Sequence, residues 1–321
     1  MTQTSPFQRW RIASLRQIST YLILLAILVA FAIVSPQFLT INNILTLALQ
    51  TSLIALVAIG MTFTIITGGI DLSVGSTAAL AGAIAAGIAV QFGTYSGLLA
   101  GIATGLGIGA INGALIVGGR LPPFVATLAS MAVARGLTLV YTQGRPIAGL
   151  DRSFTFWGSA AWLEIPIPVW ILLITTIITH LILRQTRLGL HLYAIGGGEE
   201  TARLAGVNVA RVKFSAYIIS GLCAALSGII LTARLWSAQP NAGIGLELDA
   251  IAAAVLGGSS LAGGVGGIPG TIAGSFIIGM LANGLNLLGV PSYHQQVIKG
   301  AIFIVAVVLT GGARITNKTR A

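Results

Sequence analysis

Apolar tracts, each about as long as a helix needs to cross the hydrocarbon core of a bilayer, follow one another along this chain with only short polar breaks. Strand-like alternation of apolar and polar positions is absent, which argues against a β-barrel. The pattern predicts an all-α integral membrane protein of about ten transmembrane helices. They fall near 18–35, 44–66, 73–91, 96–117, 122–141, 166–183, 213–233, 246–262, 268–288 and 293–312. A cytoplasmic arm at 1–17, one transmembrane domain at 18–312 and a cytoplasmic tail at 313–321 complete the layout. The 246–262 tract is the shortest, and removing it would invert the orientation of everything that follows.

The one long polar interruption, 184–213, is where a chain this apolar can meet a soluble partner. Ten crossings put it on the same side as Arg9, Arg11, Arg16, Arg120, Arg314, Lys318 and Arg320. Only Arg145, Arg152 and Arg234 fall in the opposite loops, so the excess of cations places both termini in the cytoplasm. The arginines ahead of the first apolar run resemble a signal peptide. No small-residue cleavage site follows, and an uncleaved first helix is expected.

Composition agrees: 55% of residues are hydrophobic and 7% charged, against about 25% charged in a soluble domain. The net charge of +10 does not indicate nucleic acid, because the cations are spread over loops and tails and form no aromatic-studded basic face. Glycine is abundant, and Gly101, Gly105, Gly109 and Gly113 form a stripe that lets helix backbones approach closely. Cys223 is the single cysteine, which rules out an internal disulfide.

No catalytic constellation emerges. His180, His191 and His294 are scattered, no metal-ligand spacing is present, and the chain has no P-loop. If ATP drives this protein, another subunit binds the nucleotide.

Polar residues within the spans are the remaining candidates. Thr67–Ser76 interrupts two apolar runs, and there Asp71 or Ser73 either caps the following helix or lines a pathway. Arg135 and Lys299 require partners, for which Glu247 and Asp249 are the candidates. Asn112, Gln239, Asn241, Asn283 and Asn286 either border an aqueous route or bridge helices. The pattern GG-x-x-L-x-x-G occurs at Gly68–Gly75 and again at Gly257–Gly264, an echo of the kind that repeated transporter halves leave.

Within the polar segment, Glu200-Thr201-Ala202-Arg203-Leu204-Ala205-Gly206 reads E-x-A-x-x-x-G and resembles the short coupling helix of ABC importer permeases, with Thr201 in place of the customary alanine. Further matches are Gly69-Ile70-Asp71-Leu72-Ser73-Val74-Gly75, Thr186-Arg187-Leu188-Gly189, Ser237-Ala238-Gln239-Pro240, the run from Gly245 to Gly258, and Asn283-Gly284-Leu285-Asn286-Leu287-Leu288-Gly289-Val290. Together, over about residues 20–312, the chain resembles the monosaccharide ABC importer permeases.

The resemblance implies a bacterial inner-membrane permease, paired with a second copy of itself. It also implies a periplasmic sugar-binding protein and a cytoplasmic ATPase subunit that uses ATP and magnesium, with no cofactor on this chain. Glu199, Glu200, Ala202, Arg203 and Gly206 would then couple to the ATPase, and the buried amides would meet a sugar such as ribose, xylose, galactose or autoinducer-2. The rival reading is an ion-coupled transporter with Asp71, Glu247 or Asp249 as coupling carboxylate.

Overall fold

The computed structural model describes residues 6–315; the start of the arm (1–5) and the end of the tail (316–321, with Lys318 and Arg320) lie outside the described residues. Its long helices are α1 (Pro6–Val34), α2 (Ile41–Ile66), α3 (Val74–Phe92), α4 (Thr94–Val117), α5 (Pro123–Thr142), α7 (Ile167–Gln185), α10 (Val209–Leu235), α12 (Ile268–Leu287) and α13 (Ser292–Ile315). Shorter ones are α6 (Arg152–Ser159), α8 (Arg187–Gly197), α9 (Glu199–Leu204) and α11 (Leu246–Leu256). Strands β1 (Ala161–Trp162) and β2 (Ile165–Pro166) form a small antiparallel hairpin. Among the described residues seven helices are long and apolar enough to cross a membrane: α2, α3, α4, α5, α7, α10 and α12. The chain is an all-α membrane protein.

Helix starts follow local chemistry. Proline occupies the first turn of α5, α7 and α12, where its missing N–H costs nothing. Thr186 and Asn208 cap α8 and α10 by accepting the amides of Gly189 and Arg211.

Helix α10 lies at the centre, packed against α2, α3, α4 and α6. Glycine makes its closest contacts possible. A β-carbon on Gly221 would strike the Gly105 carbonyl, one on Gly228 the Ala78 carbonyl, and one on Gly109 the Tyr217 carbonyl. The glycine stripe of α4 is therefore the α4–α10 interface, with Gly101, Gly105, Gly109 and Gly113 all buried. Because lipid tails are as apolar as leucine, cohesion between spans comes from such packing and from interhelical hydrogen bonds. Ser227 Oγ donates to the Leu53 carbonyl at 3.0 Å, and the Thr62 and Thr271 hydroxyls share a bond of 2.6 Å. The Asn43 and Asn283 amides bond reciprocally at 3.0 and 2.9 Å.

Three segments depart from the sequence expectation. The 246–262 tract gives a helix only over Leu246–Leu256, eleven residues and so about 16 Å long, half of what a crossing needs. Residues 257–267 continue without helix; Gly257, Ser259 and Gly263 are buried, Ala262 and Val265 are exposed, and six of the eleven are glycine, which disfavours helix. The stretch 142–165, read as a plain loop, contains α6 and the hairpin; Phe154 of α6 is fully buried. The polar segment 184–213 folds into α8 and α9, whose apolar side, with Leu192, Ile195 and Ala202, joins the main core cluster.

Replacing Gly221 by Leu should lower the stability of the purified protein by about 1–3 kcal/mol, the usual cost of overpacking. Gly107→Leu, on a face of α4 where a β-carbon meets nothing within 4 Å, should leave the unfolding temperature unchanged. Thermal unfolding in detergent compares the two.

Candidate functional site

Two helix interruptions face each other inside the bundle. At the end of α2, Gly68 has φ +81°, the Gly68 amide donates to the Ile65 carbonyl at 2.9 Å and the Gly69 amide to the Thr64 carbonyl at 3.0 Å. At the end of α11, Gly258 has φ +91°, with Gly258 donating to Val255 and Ser259 to Ala254, both at 2.9 Å. Both endings are Schellman motifs, in which a left-handed residue, here glycine, satisfies the last carbonyls. The two sequence echoes thus fold alike, though the structural match pairs Gly68 with Gly258, one residue out of register with the sequence pattern. The segments also touch: the Gly264 amide donates to the Ile66 carbonyl at 2.9 Å.

Beyond the first ending lies a buried polar cluster. Asp71 Oδ1 accepts the Ser73 amide at 3.0 Å and the Ser73 hydroxyl at 2.6 Å, while Asp71 Oδ2 accepts the Ser220 hydroxyl at 2.7 Å. Asn112 Nδ2 donates to Ser73 Oγ at 2.8 Å. Asp71, Ser73, Asn112 and Ser220 are all buried, and among the described residues Asp71 pairs with no cation. Ser73 occupies the N-cap position of α3 without a side-chain cap bond, because its hydroxyl is engaged with Asp71. Two buried groups beside this cluster lack partners among the described residues: Asn112 Oδ1 and the Tyr217 hydroxyl, which rests on Gly69. Ser220 lies roughly 16 Å along α10 from its start at Val209, near the middle of the bundle.

The other sequence candidates fall elsewhere. Lys299 Nζ lies 2.8 Å from Asp249 Oδ2, joining α13 to α11. Arg135 Nη1 donates to the carbonyls of Pro240 (3.2 Å) and Ala242 (2.7 Å), with Glu247 within electrostatic range. Asn283 faces Asn43 across the α2–α12 contact, and exposed Asn286 accepts from Gln295 at 2.7 Å. Gln239 bonds Ser237 in the loop after α10, where Asn241 is exposed. Of the candidate pathway residues, only Asp71, Ser73 and Asn112 come together. Ser220 and Tyr217, which complete their cluster, escaped the sequence reading; their spacing of three on one face of α10, within an otherwise apolar run, was the available signal.

The second candidate surface is α8–α9. Ala202 packs into the core at 4% exposure, and Glu200 and Arg203 stay exposed. Gly206 has φ +83°, its amide donates to the Arg203 carbonyl at 2.9 Å, and the Val207 amide donates to the Ala202 carbonyl at 3.0 Å. The E-x-A-x-x-x-G spacing thus reads as an exposed acid, a small inward residue and a left-handed glycine stop. Glu199 bonds Lys213 at 2.6 Å and lies 3.7 Å from Arg203, which also meets Glu200 at 3.3 Å. Beside them opens a cavity of about 660 Å³ bordered by Arg120, Leu121, Glu199, Arg203, Val209 and Lys213. Leu190 and Leu204 stand exposed on the same end of the molecule.

A helical bundle with buried interruptions and a polar helical platform at one end is a transport-permease architecture, and the chain matches, over residues 43–307, the family described as branched-chain amino acid transport system / permease component. It belongs to that family. Among proteins of known role, it is 49% identical over 294 residues to the ribose import permease of Escherichia coli strain K12, covering 89% of this chain and 92% of the relative. It is 48% identical over 298 residues to the ribose import permease of Bacillus subtilis strain 168, covering 92% of each. The L-arabinose transport permease of Escherichia coli strain K12 is 40% identical over 289 residues, covering 89% of this chain and 88% of the relative.

Removing Asp71 should cost more than removing any one of its donors. Asp71→Leu leaves the Ser73 amide and the Ser220 hydroxyl unsatisfied and should destabilise the bundle by about 3 kcal/mol or more, whereas Ser220→Ala should cost about 1–2 kcal/mol. Thermal unfolding of the two purified variants tests the ordering.

Proposed function

We propose that this chain is the membrane-spanning permease subunit of an ATP-driven bacterial importer for ribose. It sits in the inner membrane as one of two identical copies, takes sugar from a periplasmic binding protein and is driven by a separate cytoplasmic ATPase that uses ATP and magnesium. The observation that supports this most strongly is identity near one half, over nearly the whole length, to ribose import permeases from two distant bacteria. Permeases for L-arabinose and D-allose are each less similar, at 40% identity, which favours ribose over those sugars.

In this reading the domain boundaries are those of the sequence, with a single permease domain between a cytoplasmic arm and tail. The chain passes through the membrane ten times, and the eighth passage is made by the half-length α11 followed by the non-helical segment 257–267. Both termini and the α8–α9 platform then lie in the cytoplasm. Glu199, Glu200, Ala202, Arg203 and Gly206 form the coupling helix: Ala202 holds it close against the bundle, Gly206 ends it, and exposed Glu200 meets the ATPase. The 660 Å³ cavity next to it, with Arg120, Arg203 and Lys213 on its rim, accepts an acidic or polar edge of that subunit. Asp71, Ser73 and Asn112 close the route at mid-depth in this conformation. Arg135, Glu247, Asp249 and Lys299 fix the position of α11 from the periplasmic side.

ATP binding and hydrolysis supply work only if the ATPase binds the inward-open and outward-open bundles with different affinity. The platform is where that difference is exerted. The chain itself holds sugar neither tightly nor permanently in this scheme, and specificity lies mainly with the soluble binding protein.

Glu200→Lys reverses the charge at an exposed position, and Gly206→Val puts a β-branched side chain at φ +83°. Both variants should insert in the membrane at normal levels, lose the co-purifying ATPase in mild detergent, and import ribose at least about tenfold more slowly. Parental uptake together with retained ATPase in either variant would remove the coupling role from this helix.

A further inference from the structure

Helix α8 makes a contact that its place at the edge of the bundle does not require. Tyr193 and Gly196 are partly buried and meet the bundle, while Leu190 is exposed. The Tyr193 hydroxyl donates to the Gly266 carbonyl at 2.8 Å. Burial pushes this phenol above its ordinary range, with Arg184 pulling the other way, so it remains a donor at neutral pH. A β-carbon on Gly196 would collide with the Ile66 carbonyl and the Gly264 amide. From the other side, a β-carbon on Gly263 would lie 3.0 Å from the Gly68 amide and 3.1 Å from Gly196 Cα, and one on Gly264 would lie 3.1 Å from the Gly196 carbonyl carbon. The Gly264 amide donates to the Ile66 carbonyl across the same junction.

Backbone from three separate parts of the chain therefore meets at one point with no side chain between: α8, the end of α2, and the non-helical segment after α11. Ordinary helix contacts are cushioned by side chains that can change rotamer. This one has none, so a displacement of α8 passes directly to both interruptions, because close-packed backbone has little compressibility. One interruption leads within five residues to Asp71 and its buried cluster. The other leads to Pro269 in the first turn of α12.

We propose that Gly196 and Tyr193 are positioning residues for transport, forming the rigid junction through which movement of the α8–α9 platform reaches both interrupted segments at once. This rests on the reading of the platform as the ATPase-docking surface. Neither residue touches sugar or nucleotide. The junction sets how much sugar moves per ATP hydrolysed, while docking and hydrolysis depend on the exposed faces of α8 and α9.

The test reconstitutes the permease with its co-purifying ATPase and a ribose-binding protein in liposomes, and measures ATP hydrolysis and labelled ribose uptake in the same vesicles. Gly197→Ala is the control, since it adds a methyl group to the neighbouring residue of α8 where nothing lies within 4 Å. Gly196→Ala should retain the ATPase and hydrolyse ATP, yet move at least about fivefold less sugar per ATP, within the usual range of coupling between sites. Tyr193→Phe, which removes a single hydrogen bond, should lower the same ratio by about two- to tenfold. Gly197→Ala should match the parent. A parental uptake-to-hydrolysis ratio in both Gly196→Ala and Tyr193→Phe overturns the proposal, as does a proportional fall of uptake and hydrolysis in Tyr193→Phe. Tyr193→Phe decides alone if Gly196→Ala fails to assemble. A parental complex that does not hydrolyse ATP overturns the ATPase-docking reading itself, an outcome distinct from hydrolysis with an unchanged ratio.

Discussion

A bilayer offers no hydrogen-bond partner to a broken helix, and the centre of this molecule is arranged around that constraint. Helix α2 ends at Ile66 and α11 at Leu256, both inside the bundle, and each leaves carbonyls that lipid cannot satisfy. Glycines in left-handed conformation turn the chain back onto those carbonyls at both places. Further backbone groups of the two interruptions are met by each other (Gly264 amide to Ile66 carbonyl), by Tyr193 of α8, by Thr127 of α5 and by Asp71. The cost of irregular structure at depth is met locally, and the two breaks become parts of a single unit.

That unit explains why α10 occupies the middle. It supplies Ser220 to Asp71, rests Tyr217 on Gly69, and presents Gly221 and Gly228 where α4 and α3 cross it most closely. The Asp71 side chain sits there without a cation, held by hydrogen-bond donors from three segments that converge on it or on its neighbour Ser73, each a bond strengthened by low dielectric. Asn112 Oδ1 and the Tyr217 hydroxyl, at the edge of this cluster, have no partner among the described residues.

The sequence revealed those features that depend on composition and local chemistry. Apolar length located seven spans to within a few residues, because a helix facing lipid must be apolar over its whole crossing. The glycine stripe of α4 announced close packing, and the E-x-A-x-x-x-G spacing identified a short helix whose alanine and glycine turn out to have clear local reasons. What depends on burial against protein was hidden. The apolar stretch of α11 is followed at 257–267 by a segment in which six of eleven residues are glycine, so the helix stops at Leu256 and the tract read as one span is half helix. The eight residues of α6 are too few for a periodic signal to rise above a loop. Tyr193 and Gly196 acquire meaning only through contacts with residues far away in the chain, and Tyr217 and Ser220 carried only the weak signal of a shared helix face.

The central claim is that ATP hydrolysed by a partner at the α8–α9 end, and no ion gradient, moves sugar through this bundle. Labelled ribose uptake in cells carrying the whole importer, measured with ATP depleted and separately with a protonophore while ATP is held constant, addresses it most directly. The account predicts that uptake stops on ATP depletion and continues under the protonophore. Uptake that survives ATP loss and collapses with the gradient would contradict it and assign the energy coupling to an intramembrane carboxylate such as Asp71.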